Sequence, residues 1–139
     1  MFYCEVISGI WVADVDILYS NRFYKDNLIE IVINCTYDYS FPDNDSIQKI
    51  RVPVTEQLKK DGDFDKLNSS LTKILKFIHD NTITKNILLV CYDGKNVSAL
   101  LVALYLIKYG KVKIQNINSL MKSKNDEFSL DYQFSLFSV

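Results

Sequence analysis

The chain has 139 residues, enough for one domain around one core and not comfortably two. Apolar residues make up 48% and charged residues 24%, the balance of an ordinary globular protein rather than a disordered one. A net charge of −1 gives no bulk attraction to nucleic acid or to an anionic membrane, so any recognition of phosphate has to be local.

Residues 2–7 and 10–13 are short β-rich runs separated by Gly9 and read as two strands or a hairpin. The opening MFYCEVISGIWVAD has no basic region ahead of a long apolar run, so it does not read as a signal peptide. Asp14 to Asn27 is polar with spaced apolar residues, the pattern of helix and loop. Ile29 to Thr36, IEIVINCT, is a β-branched run suited to a buried strand. Tyr37 to Asp45 is turn-rich, and Ile47 to Val54 alternates as a strand with Pro53 near its end.

Lys59 to Asp65 is a charged loop. After it Phe64, Leu67, Leu71, Ile74, Leu75 and Ile78 recur at helical spacing and predict an amphipathic helix. Ile87 to Cys91, ILLVC, is a second buried strand, followed by the loop YDGKN and a helix from about Val97 to Tyr109 with Gly110 as its stop. Its apolar stretch, Ala99 to Ile107, is too short to span a bilayer. Two further helical segments, about 113–123 and 129–137, close the chain. Strands alternating with helices predict a single α/β domain over residues 1–139, with a central, mostly parallel sheet flanked by helices on both faces. In such sheets ligands bind beyond the carboxyl ends of the strands, which puts the loop after ILLVC first among candidate sites.

That segment is Leu89-Val90-Cys91-Tyr92-Asp93-Gly94-Lys95-Asn96-Val97-Ser98-Ala99. A loop entering a helix N-terminus offers converging N–H groups and the positive end of the helix dipole. A cysteine there has its thiolate favoured. This is the architecture of an oxyanion or phosphate cradle, with Tyr92, Asp93, Gly94, Lys95, Asn96 and Val97 as the loop that would do the binding and Cys91 at the strand end.

On these residues the chain resembles the dual-specificity protein phosphatases, which carry His-Cys, five residues, then Arg-Ser/Thr at a strand–loop–helix junction. Cys91 falls at the nucleophile position, Gly94 at the glycine three residues on, and Ser98 at the hydroxyl after the arginine. SGIWVAD looks like the family's opening strand pair, IVINCT like its asparagine-bearing strand with Asn34 in place, and IRVPV like the strand before its general-acid loop. Asn125 and Phe128 fall where the family has a late Asn and Phe that support the loop. The resemblance implies the dual-specificity phosphatase fold over most of the chain.

Two departures decide what the resemblance implies for activity. The histidine position holds Val90 and the arginine position holds Val97. The family's arginine forks onto two phosphate oxygens and stabilises the transition state. Valine donates nothing, and Lys95 is a mobile point charge rather than a planar fork. Losing one donor of this kind costs about 100- to 1000-fold in rate. The general acid is open among Glu56, Asp61, Asp63 and Asp65, all on the expected loop: Glu56 aligns when counted from the preceding strand and Asp61 when counted back from the following helix.

The remaining reactive residues read more plainly. Three cysteines with no CxxC spacing argue against a disulfide framework or a zinc site, and no metal or cofactor is expected. Reduced thiols fit a cytoplasmic setting. Cys4 and Cys35 read as core residues, and His79, the one histidine, as a solvated helix residue. Tyr19, Tyr24, Tyr37 and Tyr39 read as packing residues or an interaction surface. Heavy use of lysine, asparagine and isoleucine, with Arg22 and Arg51 the only arginines, fits an A/T-rich genome such as that of a large DNA virus (a poxvirus, for example) or a parasite.

Three functions are compatible with the sequence: a non-catalytic binding or scaffolding module for a protein or phosphoprotein, a slow phosphatase that uses Cys91 with a lysine as anion partner, and a structural domain with an idle pocket. The first is the expectation, because the nucleophile position is kept while the phosphate fork is lost. Neither nucleic acid nor membrane is expected as a partner, and the sequence leaves the oligomeric state open.

Overall fold

The β-branched runs pair into one five-stranded sheet in a computed structural model that spans residues 1–139. The strands are β1 (Tyr3–Ile7), β2 (Ile10–Ala13), β3 (Ile29–Asn34), β4 (Gln48–Arg51) and β5 (Asn86–Val90), in the order β1-β2-β5-β3-β4. The β1–β2 pair is an antiparallel hairpin, whereas β2–β5, β5–β3 and β3–β4 are parallel. The helices are α1 (Val15–Leu18), α2 (Asn21–Asp26), α3 (Asp63–Asn81), α4 (Val97–Lys108) and α5 (Ile114–Lys124).

Alternation along the strands divides the core into two layers. Ile31, Ile33, Ile87 and Leu89 face α3, α4 and α5, while Val32, Leu88 and Val90 face α1 and α2. The two central strands are thus apolar on both sides, as a parallel sheet covered by helices demands. Each fully buried Leu or Ile contributes about 1.5–3 kcal/mol. Helix α4 is buried continuously from Val97 to Leu106 and forms the centre of the larger layer. No helix is long and apolar enough to cross a membrane.

Three expectations are corrected. The strand expected over 47–54 pairs only over Gln48–Arg51. Residues 129–137 are not a helix: they run in extended and irregular conformation, broken by one 3-10 turn at Phe134–Leu136. Leu130, Phe134 and Phe137 have helical spacing, but each is buried separately in the core, with Phe137 against Phe64 at 5.1 Å. Gly110 does not end α4 by turning left-handed; that conformation falls on Lys111, with φ 58°. Glycine at 110 is required because a Cβ there would lie 2.7 Å from the Leu106 carbonyl oxygen.

Candidate functional site

The site begins where β5 runs out. The Cys91 N–H still donates to the Ala13 carbonyl at 3.2 Å, and the chain then leaves the sheet, curls and enters α4 at Val97. Gly94 makes the curl possible. Its φ is +74°, and a Cβ would lie 2.6 Å from Ala13 C, 2.7 Å from Asp14 N and 2.8 Å from Phe2 Cδ2. The loop is therefore pressed directly onto the end of β2 and the N-terminal strand, and only glycine fits.

Cys91 and Ser98, seven residues apart, are brought together with Sγ and Oγ 3.1 Å apart, both buried. The Ser98 hydroxyl donates to the Gly94 carbonyl at 3.2 Å. The thiol also lies within donor reach of Asp93 Oδ1, at 3.6 Å. Burial is the main influence on the thiol and pushes its pKa up. The Ser98 hydroxyl and the N–H groups of Ser98 and Asn96 pull it down, the charge of Asp93 pushes it up again, and the balance lies above the ordinary cysteine value.

The remaining loop residues are partnered within the chain. Asp93 Oδ1 accepts from Lys95 N at 2.9 Å and lies 3.6 Å from Cys91 Sγ. The Lys95 ammonium pairs with Glu127 at 3.0 Å and sits 5.1 Å from the centre of the Phe2 ring. The Asn96 side-chain oxygen accepts from the Tyr132 hydroxyl. Tyr92 turns away from the sulfur, donating to Asp38 at 2.6 Å, accepting from Tyr37 N at 3.0 Å and packing edge-on against Tyr39. Val97, at the position of the phosphate fork, is 1% exposed and packed in the larger core layer.

The acidic loop is resolved by burial. Asp61 is exposed and forms no hydrogen bond or ion pair. Glu56, in a 3-10 turn at Glu56–Leu58, and Asp65, in the first turn of α3, are exposed as well. Asp63 alone is buried; its Oδ2 accepts from Thr55 N at 3.0 Å, from the Thr55 hydroxyl and from Lys60 N at 3.1 Å. Burial pushes its pKa up, but those hydrogen bonds and the Lys66 charge outweigh it and hold the carboxyl below the ordinary aspartate range. An ionised carboxylate with those partners braces the loop between β4 and α3. None of the four carboxylates forms a hydrogen bond with residues 91–98.

Three residues matched by the family resemblance, Asn34 in its strand and Asn125 and Phe128 as loop supports, have definite partners. Asn34 is buried, accepts from Thr36 and donates to the Tyr39 carbonyl at 2.9 Å, so it shapes the turn after β3. Asn125 accepts from Glu127 N at 2.9 Å and so forms the turn that presents Glu127 to Lys95. Phe128 is buried with its ring edge-on to Phe2 at 5.8 Å. Tyr132 and Glu127 have no signal in the sequence, because Tyr132 meets Asn96 across 36 residues through a segment expected to be helical. His79 is exposed and stacks on Tyr109 at 4.1 Å, remote in kind from any Cys–His pair. No group of three or more His, Cys, Asp or Glu residues is placed to hold a metal ion.

A cysteine at the end of a parallel strand, a glycine-bent loop after it and a buried helix behind it make a scaffold of the cysteine-phosphatase type. Residues 13–138 match the family model for the dual specificity phosphatase catalytic domain, and the chain belongs to that family. Comparison with characterised proteins by sequence finds no match. Among solved structures, human DUSP28 is similar with a TM-score of 0.80 at 14% identity, over 96% of this chain and 90% of that one. DUSP15 gives a TM-score of 0.81 at 16% identity, over 96% and 83%. The human tyrosine phosphatase-like serine/threonine/tyrosine-interacting protein gives 0.77 at 11% identity, over 95% and 89%. At these identities the likeness is one of fold.

Proposed function

We propose that this chain is a pseudophosphatase, a phosphatase-fold module that binds or scaffolds a protein or phosphoprotein partner without turning over phosphate esters. The observation that carries the reading is Val97: an apolar, fully packed side chain stands where the family places the arginine that grips the phosphate. Lys95, the cation within the loop, is held by Glu127. The raised pKa of Cys91 favours the thiol over the nucleophilic thiolate. The name of one structural neighbour, a phosphatase-like interacting protein, describes a module of the same kind. The cysteine usage supports action in the cytoplasm, and the lysine- and asparagine-rich composition supports a large DNA virus as source, so that the partner would belong to the host.

The deciding experiment is turnover of an aryl phosphate and of phosphotyrosine and phosphothreonine peptides by the wild type and by Cys91→Ser. Equal, background-level rates are expected. The second reading, a weak phosphatase, draws on Cys91 itself, whose thiolate is still favoured by the Ser98 hydroxyl and by the N–H groups of Ser98 and Asn96, although burial outweighs them. Turnover that disappears in Cys91→Ser would establish that reading instead.

A further inference from the structure

An oxyanion held in a strand–loop–helix cradle places an oxygen within hydrogen-bond reach of the loop N–H groups and against the group at the strand end. In this chain a side chain of the loop already does so. Asp93 Oδ1 lies 2.9 Å from Lys95 N and 3.6 Å from Cys91 Sγ, the two contacts an entering phosphate oxygen would make. Cations that could offset a second anion are absent or engaged: Val97 replaces the fork and Lys95 is paired with Glu127. Tyr132 donates to Asn96 Oδ1 and so closes the far side of the loop with a neutral hydroxyl rather than a cation.

We infer that the Asp93 carboxylate is the resident anion of the 91–98 loop and excludes phosphate esters from it. This rests on reading the loop as a non-catalytic cradle, and it narrows that reading: whatever partner meets this site does so without lodging a phosphate against Cys91. A phosphate dianion would have to displace a carboxylate tethered two residues from its own N–H donor, or share the bowl with a like charge. Asp93 is thus a specificity-determining residue.

The alternative role for Asp93 is purely local. A carboxylate accepting from the N–H two residues on is a common turn device. Asparagine preserves that hydrogen bond and removes the charge, so Asp93→Asn separates the two roles. Inorganic phosphate and tungstate would be titrated into wild type, Asp93→Asn and Asp93→Ala by calorimetry, and Cys91 alkylation by iodoacetamide would be followed at fixed pH. The expected result is wild-type binding at least about tenfold weaker than that of both variants, and faster alkylation of Cys91 in Asp93→Asn. Should Asp93→Ala fail to fold, Asp93→Asn carries the test alone. Anion affinity and alkylation rate in Asp93→Asn equal to wild type would overturn the inference and leave Asp93 a turn-former. The two readings fail differently. Cys91-dependent turnover by wild type ends the pseudophosphatase assignment, whereas equal anion affinity in wild type and Asp93→Asn, without turnover, ends only the role of Asp93.

Discussion

Lys95 Nζ and Glu127 Oε1 lie 3.0 Å apart, so the single cation of the loop is bound to the turn that follows α5. Both side chains are partly exposed, at 36% and 53%, and such a pair is worth at most about 1 kcal/mol. Glu127→Gln is expected to change the unfolding free energy by no more than that, with the difference disappearing in high salt. Urea unfolding at low and high ionic strength measures it. A larger, salt-insensitive loss would mean that Glu127 holds the loop in some way besides its charge.

Cys91 should behave as a poorly ionised thiol. Its alkylation rate is expected to rise with an inflection above the value of a free cysteine, about 8.5, since burial dominates the environment of the sulfur. Ser98→Ala should move the inflection further up, because the Ser98 hydroxyl is among the groups that pull it down. An inflection below about pH 6 would show that a cation had taken the arginine's place.

Asp63 makes acid stability depend on a carboxylate outside the cradle. Its folded pKa lies below the ordinary aspartate value of 3.8, so its contribution is complete above that value and is lost as pH falls through the folded pKa. Asp63→Ala strands the donors of Thr55 and Lys60 and should cost about 2–3 kcal/mol at neutral pH. The deficit relative to wild type should shrink below pH 3.8. Denaturant unfolding at neutral pH and at acid pH would show this; a pH-independent deficit would assign the loss to packing.

Val97→Arg alone should gain less anion affinity than Val97→Arg combined with Asp93→Asn. An arginine adds about 1.5–3 kcal/mol per charged hydrogen bond to a bound oxyanion, but in the single variant the Asp93 carboxylate of the same loop would compete for it. Phosphate titration of both variants, each first checked for cooperative unfolding, compares them directly. Equal affinities would mean that Asp93 does not compete.

Gly94→Ala is expected to destabilise the fold by about 3 kcal/mol or more, from a left-handed φ and a Cβ driven into backbone atoms of Ala13 and Asp14. Gly62→Ala provides the comparison: φ is +89° there too, but nothing lies within 4 Å, so about 1–2 kcal/mol is expected. Thermal unfolding of the two variants separates the steric part from the conformational part.

How far the sequence reaches follows from the range of its signals. IEIVIN and ILLV read as buried strands from their short β-branched and apolar runs, and both lie in the sheet with parallel partners. The loop stands out because Cys91, Gly94 and Ser98 fall within eight residues. The carboxylates of residues 56–65 cannot be told apart in sequence, since all lie in one charged run and what distinguishes Asp63 is the donors of Thr55 and Lys60, set by the fold. The last segment imitates a helix because Leu130, Phe134 and Phe137 have helical periodicity while each fills its own gap in the core. Tyr132 is hidden with it.

The close seating of Gly94 on Ala13 and Asp14 has one more consequence. The curvature of the loop is imposed from behind by the sheet, not from in front by a guest. Chemistry and foldability are therefore separable at this junction: exchanging the side chains that face the bowl alters what it can hold, while the bowl keeps its form because the strand ends and α4 need it. A chain with this scaffold can abandon catalysis without weakening its fold, which leaves a rigid, shaped surface free to take on another task.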